Sequence, residues 1–80
     1  MMIVEVLNMI KTFRKEKMIA RLTREGLADQ ITPEIVAIMD NLDGQKANTY
    51  CWNNVVKGEP VAVVIGKDGT TKYVNENDCD

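Results

Sequence analysis

The 80-residue chain is predicted to adopt an α+β fold. Two arrangements fit: two or three helices followed by a C-terminal antiparallel β-hairpin, or helices packed on a three-stranded antiparallel meander. Three observations predict the class. Apolar residues recur at helix spacing through the N-terminal half, a fully signed helix start stands at Thr32-Pro33-Glu34, and Asp68-Gly69 lies between two runs rich in β-forming residues.

In the first element Ile3, Val6, Leu7, Ile10 and Phe13 fall at helix spacing. The density of Ile, Val and Leu in residues 2–7 would equally suit a strand. From Met18 the apolar positions become Met18, Ile19 and Leu22, a stripe rotated by about 140° at ~100° per residue. Either the helix breaks near Arg14 and Lys15, or one helix carries two buried faces. A chain this short builds a thin core, so Ile3, Val6, Leu7, Ile10 and Phe13 are the expected seam of a homodimer. Gly26 closes the element as a helix-terminating glycine.

In the second helix Thr32 is the N-cap, Pro33 takes the first helical position, and Glu34 suits the positive end of the helix dipole. Ile35, Ile38, Met39 and Leu42 follow on one face, and Asp43-Gly44 ends it. Residues 47–58 admit two readings. As a helix, Asn48 or Thr49 caps it, Cys51, Trp52, Val55 and Val56 share a face, and Gly58 stops it. As a strand, Tyr50, Trp52 and Val56 line one side. The helix is preferred because both ends carry appropriate signals. Residues 60–65 then form a strand, Gly66-Lys67-Asp68-Gly69 a turn, and residues 70–74 the returning strand. Val61, Val63 and Ile65 share one face and Ala62 and Val64 the other, so both faces are expected to be covered. Residues 75–80 read as a frayed acidic tail on a single domain.

Composition narrows the function. No apolar run approaches the roughly 20 residues of a membrane span, and the N-terminus lacks a secretory pattern, so a cytoplasmic location is expected. The chain has no histidine and only two cysteines, Cys51 and Cys79. That leaves no complete zinc ligand set and no ready general base, and neither metal nor cofactor is expected. Cys51 beside Trp52 reads as core and Cys79 as part of the tail. Asp40 and Asp43 share a helix face in the manner of many solvated carboxylate pairs. No catalytic residue is assigned, and a non-enzymatic role is expected. The single Trp reads as a core anchor, with a small-ligand pocket around it as the other possibility.

The net charge of −2 conceals an uneven distribution. Residues 1–30 carry six basic and four acidic side chains, and residues 31–80 carry four basic and eight acidic ones. Arg14, Lys17, Arg21 and Arg24 follow one another at spacings that place them on one helix face. Such a row can neutralise phosphates or meet an acidic partner, and it also suits a simple solvated face. Asn48, Asn53 and Asn54 stand near Tyr50 and Trp52, and Asn side chains can read adenine edges.

From Thr32 to Asp78 the order of features resembles the small winged helix-turn-helix proteins of the excisionase and MerR type. Thr32-Pro33-Glu34 is similar to their first helix start, Trp52 to the anchor of their second helix, and Gly58-Glu59-Pro60 to the entry of their wing. Residues 61–66 and 70–74 are similar to the two wing strands. The stretch matching the second helix offers Lys46, Lys57 and asparagines, where that family usually bears Arg or Lys. The resemblance implies a small DNA-binding accessory or regulatory protein, of mobile-element or phage origin. Its DNA contacts would come from Asn48, Thr49, Asn53, Asn54, Lys57, Lys67 and Lys72, with phosphate contacts from Arg14, Lys17, Arg21 and Arg24. The alternative is a protein–protein interaction module, an inhibitor, adaptor or antitoxin-like component, acting through the acidic C-terminal half.

Overall fold

In the computed structural model, which describes residues 9–51 and 60–80, the chain is an α+β domain with two helices and one four-stranded antiparallel sheet. Its order is β1 (Met9–Thr12), α1 (Lys15–Arg24), α2 (Pro33–Leu42), β2 (Lys46–Cys51), β3 (Pro60–Ile65) and β4 (Thr71–Asn75). Short 3₁₀ turns lie at Ala28–Gln30 and Glu76–Asp78. The strands are ordered β1-β2-β3-β4, so β2, β3 and β4 form an antiparallel meander that β1 extends by one strand.

The N-terminal half departs from helical expectation at its start. Residues 9–12 pair with β2, with Lys11 opposite Ala47 and Thr12 opposite Lys46. The chain therefore breaks at Arg14, which is extended and serves as the N-cap of α1. Strand alternation turns Phe13 into the core, where it is fully buried, and turns Ile10 the other way. Phe13 is thus unavailable to the expected dimer seam, of which Ile3, Val6 and Leu7 lie outside the described residues. Cross-strand pairing has overridden a periodicity that fitted a helix.

Both helix ends downstream form as their residues dictate. After Arg24 the amide of Gly26 donates to Thr23 O (3.1 Å) and that of Leu27 to Leu22 O (2.8 Å). This crossed pair satisfies the last carbonyls, and Gly26 adopts the φ of +78° that it requires. In α2 the Thr32 hydroxyl accepts from Ile35 N (3.3 Å) and Pro33 sits at the start. Met39 and Leu42 are buried and Ile35 and Ile38 pack beside them.

Residues 46–51 form β2 and not the start of a helix. This strand holds the place that the winged-helix arrangement gives to its second helix. Ala47 and Asn48 face Val64 and Val63 of β3, and the pairing gives β2 two sequence-distant neighbours that a single-segment reading does not see. The remainder of the segment, with Trp52, Asn53, Asn54, Val55, Val56, Lys57 and Gly58, lies outside the described residues.

The C-terminal hairpin agrees with its sequence signals to within one residue. The amide of Gly66 donates to Thr70 O (2.6 Å) and that of Gly69 to Gly66 O (3.0 Å), and Asp68 accepts from Thr70 N (2.9 Å). The Thr70 hydroxyl also donates to Asp68, and this bond first, then the one from the Thr70 amide, holds the Asp68 carboxyl below its usual pKa. Gly66 is needed for space: a Cβ there would stand 2.5 Å from Asn41 Oδ1, the atom that accepts from Lys67 N (2.6 Å) and ties the hairpin to α2.

Residues 75–80, expected to fray, are docked. Asn75 and Asp78 form a capping box around the last 3₁₀ turn. Asp80 then exchanges two backbone hydrogen bonds with Thr12 (2.9 and 2.8 Å), Arg14 N donates to Asp78 O (2.9 Å), and Phe13 and Cys79 form a bridge. The chain leaves β4 at one edge of the sheet and returns against β1 at the other, beneath α1. Phe13, Met39, Leu42, Ala47, Ala62, Val64, Val74 and Cys79 make one buried cluster between helices and sheet.

Candidate functional site

The basic row on α1 is bound to the returning C-terminal segment. Arg21 grips Asp78 with both ends of its fork, Nε to Oδ1 at 2.7 Å and a second nitrogen to Oδ2 at 3.1 Å. Asp78 is fully buried and the Arg21 side chain is 12 % exposed. Planar two-point pairing of this kind is the strongest ion-pair geometry available to a carboxylate. It holds the guanidinium above its usual pKa, chiefly through the hydrogen bonds to Asp78. Asp78 also accepts from Asn75 N (3.1 Å), so the buried carboxylate is well supplied with donors. Arg21 is therefore a fastener of the fold.

Arg14 and Lys17 meet Asp80 at the surface, Arg14 Nε at 3.1 Å from Oδ2 and Lys17 Nζ at 2.8 Å from Oδ1. Both cations are 45 % exposed and Asp80 is 50 % exposed. Lys17 first, then Arg14, lowers the Asp80 pKa. Arg24 is exposed in the last turn of the same helix.

The remaining residues that sequence assigned to DNA are scattered. Asn48 is exposed on the side of the sheet away from the helices, because it alternates with the buried Ala47 and Thr49. Asn48 thus stands on the sheet, whereas three of the stripe's cations are engaged by the C-terminal segment. Thr49 is buried, its hydroxyl without a hydrogen-bond partner among the described residues, so it cannot reach an external base. Lys67 sits at the exposed hairpin tip, whereas Lys72 is half-buried beside α2, where it lines a small cleft with Met18, Ile38 and Tyr73. Asn53, Asn54, Lys57 and Trp52 lie outside the described residues.

The groups with chemical potential are occupied. Asp40 accepts from Lys15 Nζ at 2.6 Å, and Asp43 caps the start of α1 by accepting from Lys15 N at 2.8 Å. The Asp40 hydrogen bond raises the Lys15 pKa. This pair of carboxylates clamps the end of α2 to the start of α1. Cys79 is a buried free thiol whose pKa is pushed up to about 11, first by burial and then by Asp78. A thiol so placed stays protonated and poorly nucleophilic near neutral pH. Among the described residues no group of three or more His, Cys, Asp or Glu could hold a metal ion, and no helix is long and apolar enough to cross a membrane. The larger cleft, about 130 Å³ between α2 and the hairpin turn, is lined by Ala37, Ile38, Asn41, Leu42, Asp68 and Thr70. It is well below the ~300–1,000 Å³ of typical small-molecule sites.

What sequence reasoning missed is the outer face of the sheet. Register places Ile10 opposite Asn48, Asn48 opposite Val63, and Val63 opposite Tyr73, one row across all four strands. Ile65 stands two residues along β3 from Val63, on the same side. Ile10 is 68 % exposed, Tyr73 65 % and Ile65 60 %. Covering both faces of β3 was the expectation, and the helices cover only the side of Ala62 and Val64. The available signal was the alternation of residues 61–65, which is apolar on both sides, while the helices among the described residues cover one side.

Comparison with protein-family models, with curated proteins and with solved structures finds no match.

Proposed function

We propose that the protein is a non-catalytic protein-interaction module that engages its partner through the outer face of the sheet. The observation that carries this reading is the row Ile10, Asn48, Val63 and Tyr73, with Ile65 beside it: large apolar side chains displayed where water would otherwise be. Exposed apolar side chains gathered on one flat face, ringed by polar groups such as Thr12, Lys46 and Thr71, have the composition of a contact surface. The chain's lack of histidine, the protonated Cys79 thiol and the engaged Asp40 and Asp43 add support for a binding role over a catalytic one.

Size indicates the kind of complex. Four strands about 4.8 Å apart and four to six residues long present a footprint of roughly 300–400 Å². A stable interface takes about 800 Å² from each partner. The described face therefore suits a reversible partner better than an obligate homodimer. The test compares wild type with Ile10→Thr/Ile65→Thr/Tyr73→Thr and, as control, Arg24→Ala, each immobilised and exposed to extract from the source cells. A defined protein retained by wild type and the control, absent with the triple variant, and shown to bind the purified module supports the reading. Retention of the same protein by the triple variant removes it. Sedimentation of the purified wild type as a dimer that the triple variant dissociates would replace the foreign partner with a second copy.

A further inference from the structure

The stripe on α1 divides in two by burial, and only one part is explained by folding. Arg21 with Asp78 is interior and bidentate. Arg14 and Lys17 converge on Asp80 at the surface, one cation to each carboxylate oxygen. Pairs about half exposed add little to stability. The segment is already held by the two Thr12–Asp80 backbone hydrogen bonds and by the buried Asp78. The geometry of the outer pair is that of two donors closing on one oxyanion, and Asp80 supplies that oxyanion from within the chain.

We infer that Arg14 and Lys17 form a phosphate-binding cradle for the backbone of duplex nucleic acid, which the Asp80 carboxylate occupies when no ligand is bound. Arg24 extends the cradle. Lys17 and Arg24 are two helical turns apart, about 10 Å along the axis, a length over which a duplex presents roughly six phosphates. Asp80 weakens the site because each phosphate must displace a carboxylate already in place. Displacement does not require unfolding, since the Thr12–Asp80 backbone pairing and the Arg21–Asp78 lock stay intact when the Asp80 side chain swings away. The ligand is recognised by charge and not by sequence. The site stands at the free edge of β1 and shares none of Ile10, Val63, Ile65 and Tyr73 with the face proposed to bind protein, so either reading can fail without the other.

The experiment is fluorescence anisotropy with a labelled random-sequence duplex at about 50 mM salt, on wild type and Asp80→Asn. Asn keeps the shape and the backbone pairing and removes the competing charge, and unchanged far-UV circular dichroism with a cooperative urea transition close to that of wild type establishes that the fold is retained. The expected result is binding about fivefold tighter for Asp80→Asn, with a log–log salt dependence steeper by about one to two units as the freed cations take phosphates. Adding Arg14→Ala and Lys17→Ala to Asp80→Asn should abolish the gain. Equal affinity of wild type and Asp80→Asn, or a gain that survives loss of both cations, overturns the proposal. A parallel titration with inorganic phosphate, read by the NMR shift of Arg14 Nε–H in Asp80→Asn, separates the sources. Saturation by free phosphate at low millimolar concentration without any duplex binding would overturn the assignment to nucleic acid.

Discussion

The two faces of the sheet are built from opposite materials. Toward the helices stand Ala47, Thr49, Ala62, Val64 and Val74, small or medium side chains, all buried. Away from them stand Ile10, Val63, Ile65 and Tyr73, larger on the whole and three of them mostly exposed. A domain that used its apolar volume only for stability would put the larger side chains inside. Small residues under the helices let α2 lie close to the sheet, and Phe13, Met39 and Leu42 fill the space from the strand end and the helix. What this teaches is that the core closes with the smaller inner-face strand side chains and with Phe13, Met39 and Leu42, without drawing in the larger side chains of the outer face.

The strongest way to break the inner side is at its charged fastener. Asp78→Ala removes the bidentate partner of a nearly buried Arg21 and leaves it only the exposed Glu25 at 3.2 Å; breaking a buried pair costs about 3–5 kcal/mol. Phe13→Ala removes the largest fully buried side chain among the described residues and should cost a similar ~3–5 kcal/mol. Since a small domain holds only about 5–15 kcal/mol in total, either variant should show a large fall in the urea midpoint. A small change for Asp78→Ala would mean that the C-terminal segment is peripheral after all.

A smaller effect is expected at the joint between helix and hairpin. Gly66→Ala forces a methyl against Asn41 and Leu42 and should destabilise by about 1–3 kcal/mol, the range for overpacking, again read from urea unfolding. An Asn41→Ala/Gly66→Ala pair should cost less than the two single changes added together, because they share one clash.

Cys79 sharpens the comparison without a change in stability. In a Cys51→Ser background, a thiol with a pKa near 11 in the core should react with a disulfide reagent at pH 8 far more slowly than the same chain in urea. Fast reaction in the native state would place Cys79 at the surface. On the acid side, Asp80 and Asp68 have lowered native pKa values. Their contribution to stability is complete above the unfolded carboxylate pKa, roughly 4, and is lost as pH falls through the lower native values. The Asp80→Asn and wild-type unfolding midpoints should therefore differ by the same small amount from pH 7 to 5 and converge below about pH 4.

Local signals were legible where the chemistry is local. Thr32, Pro33 and Gly26 act through neighbours within four residues, and the Asp68-Gly69 turn closes on itself, so those elements stand where sequence places them. Residues 9–12 and 46–51 were not legible because each is a strand through pairing with distant segments, β1 with β2 across more than thirty residues and β2 also with β3. Residues 75–80 looked frayed for the same reason: their acids are repulsive along the chain and complementary only to distant cations, Lys11 on β1, Arg14 at the N-cap of α1, and Lys17 and Arg21 on α1. Lys17, Arg21 and Arg24 of the basic stripe stand on α1 as the spacing predicts, whereas Arg14 is its extended N-cap, and the acidic partners of the stripe become visible only once the chain is folded. The outer face was hidden by an assumption that two apolar sides imply two covering layers.

The most direct measurement compares neighbours of opposite orientation on β3 and β1. Val64→Ala, on the covered side, should lower the unfolding free energy by about 2–3 kcal/mol through lost burial and a residual cavity. Ile10→Thr/Ile65→Thr, on the open side, keeps β-branched side chains and should stay within about 0.5 kcal/mol per site. Urea denaturation of these two variants beside wild type decides the matter. A midpoint for the double variant close to that of wild type, with Val64→Ala clearly lower, is the predicted result. A loss in the double variant as large as that of Val64→Ala would show that Ile10 and Ile65 belong to the domain's own core, and would contradict the claim that this face is kept open for a partner.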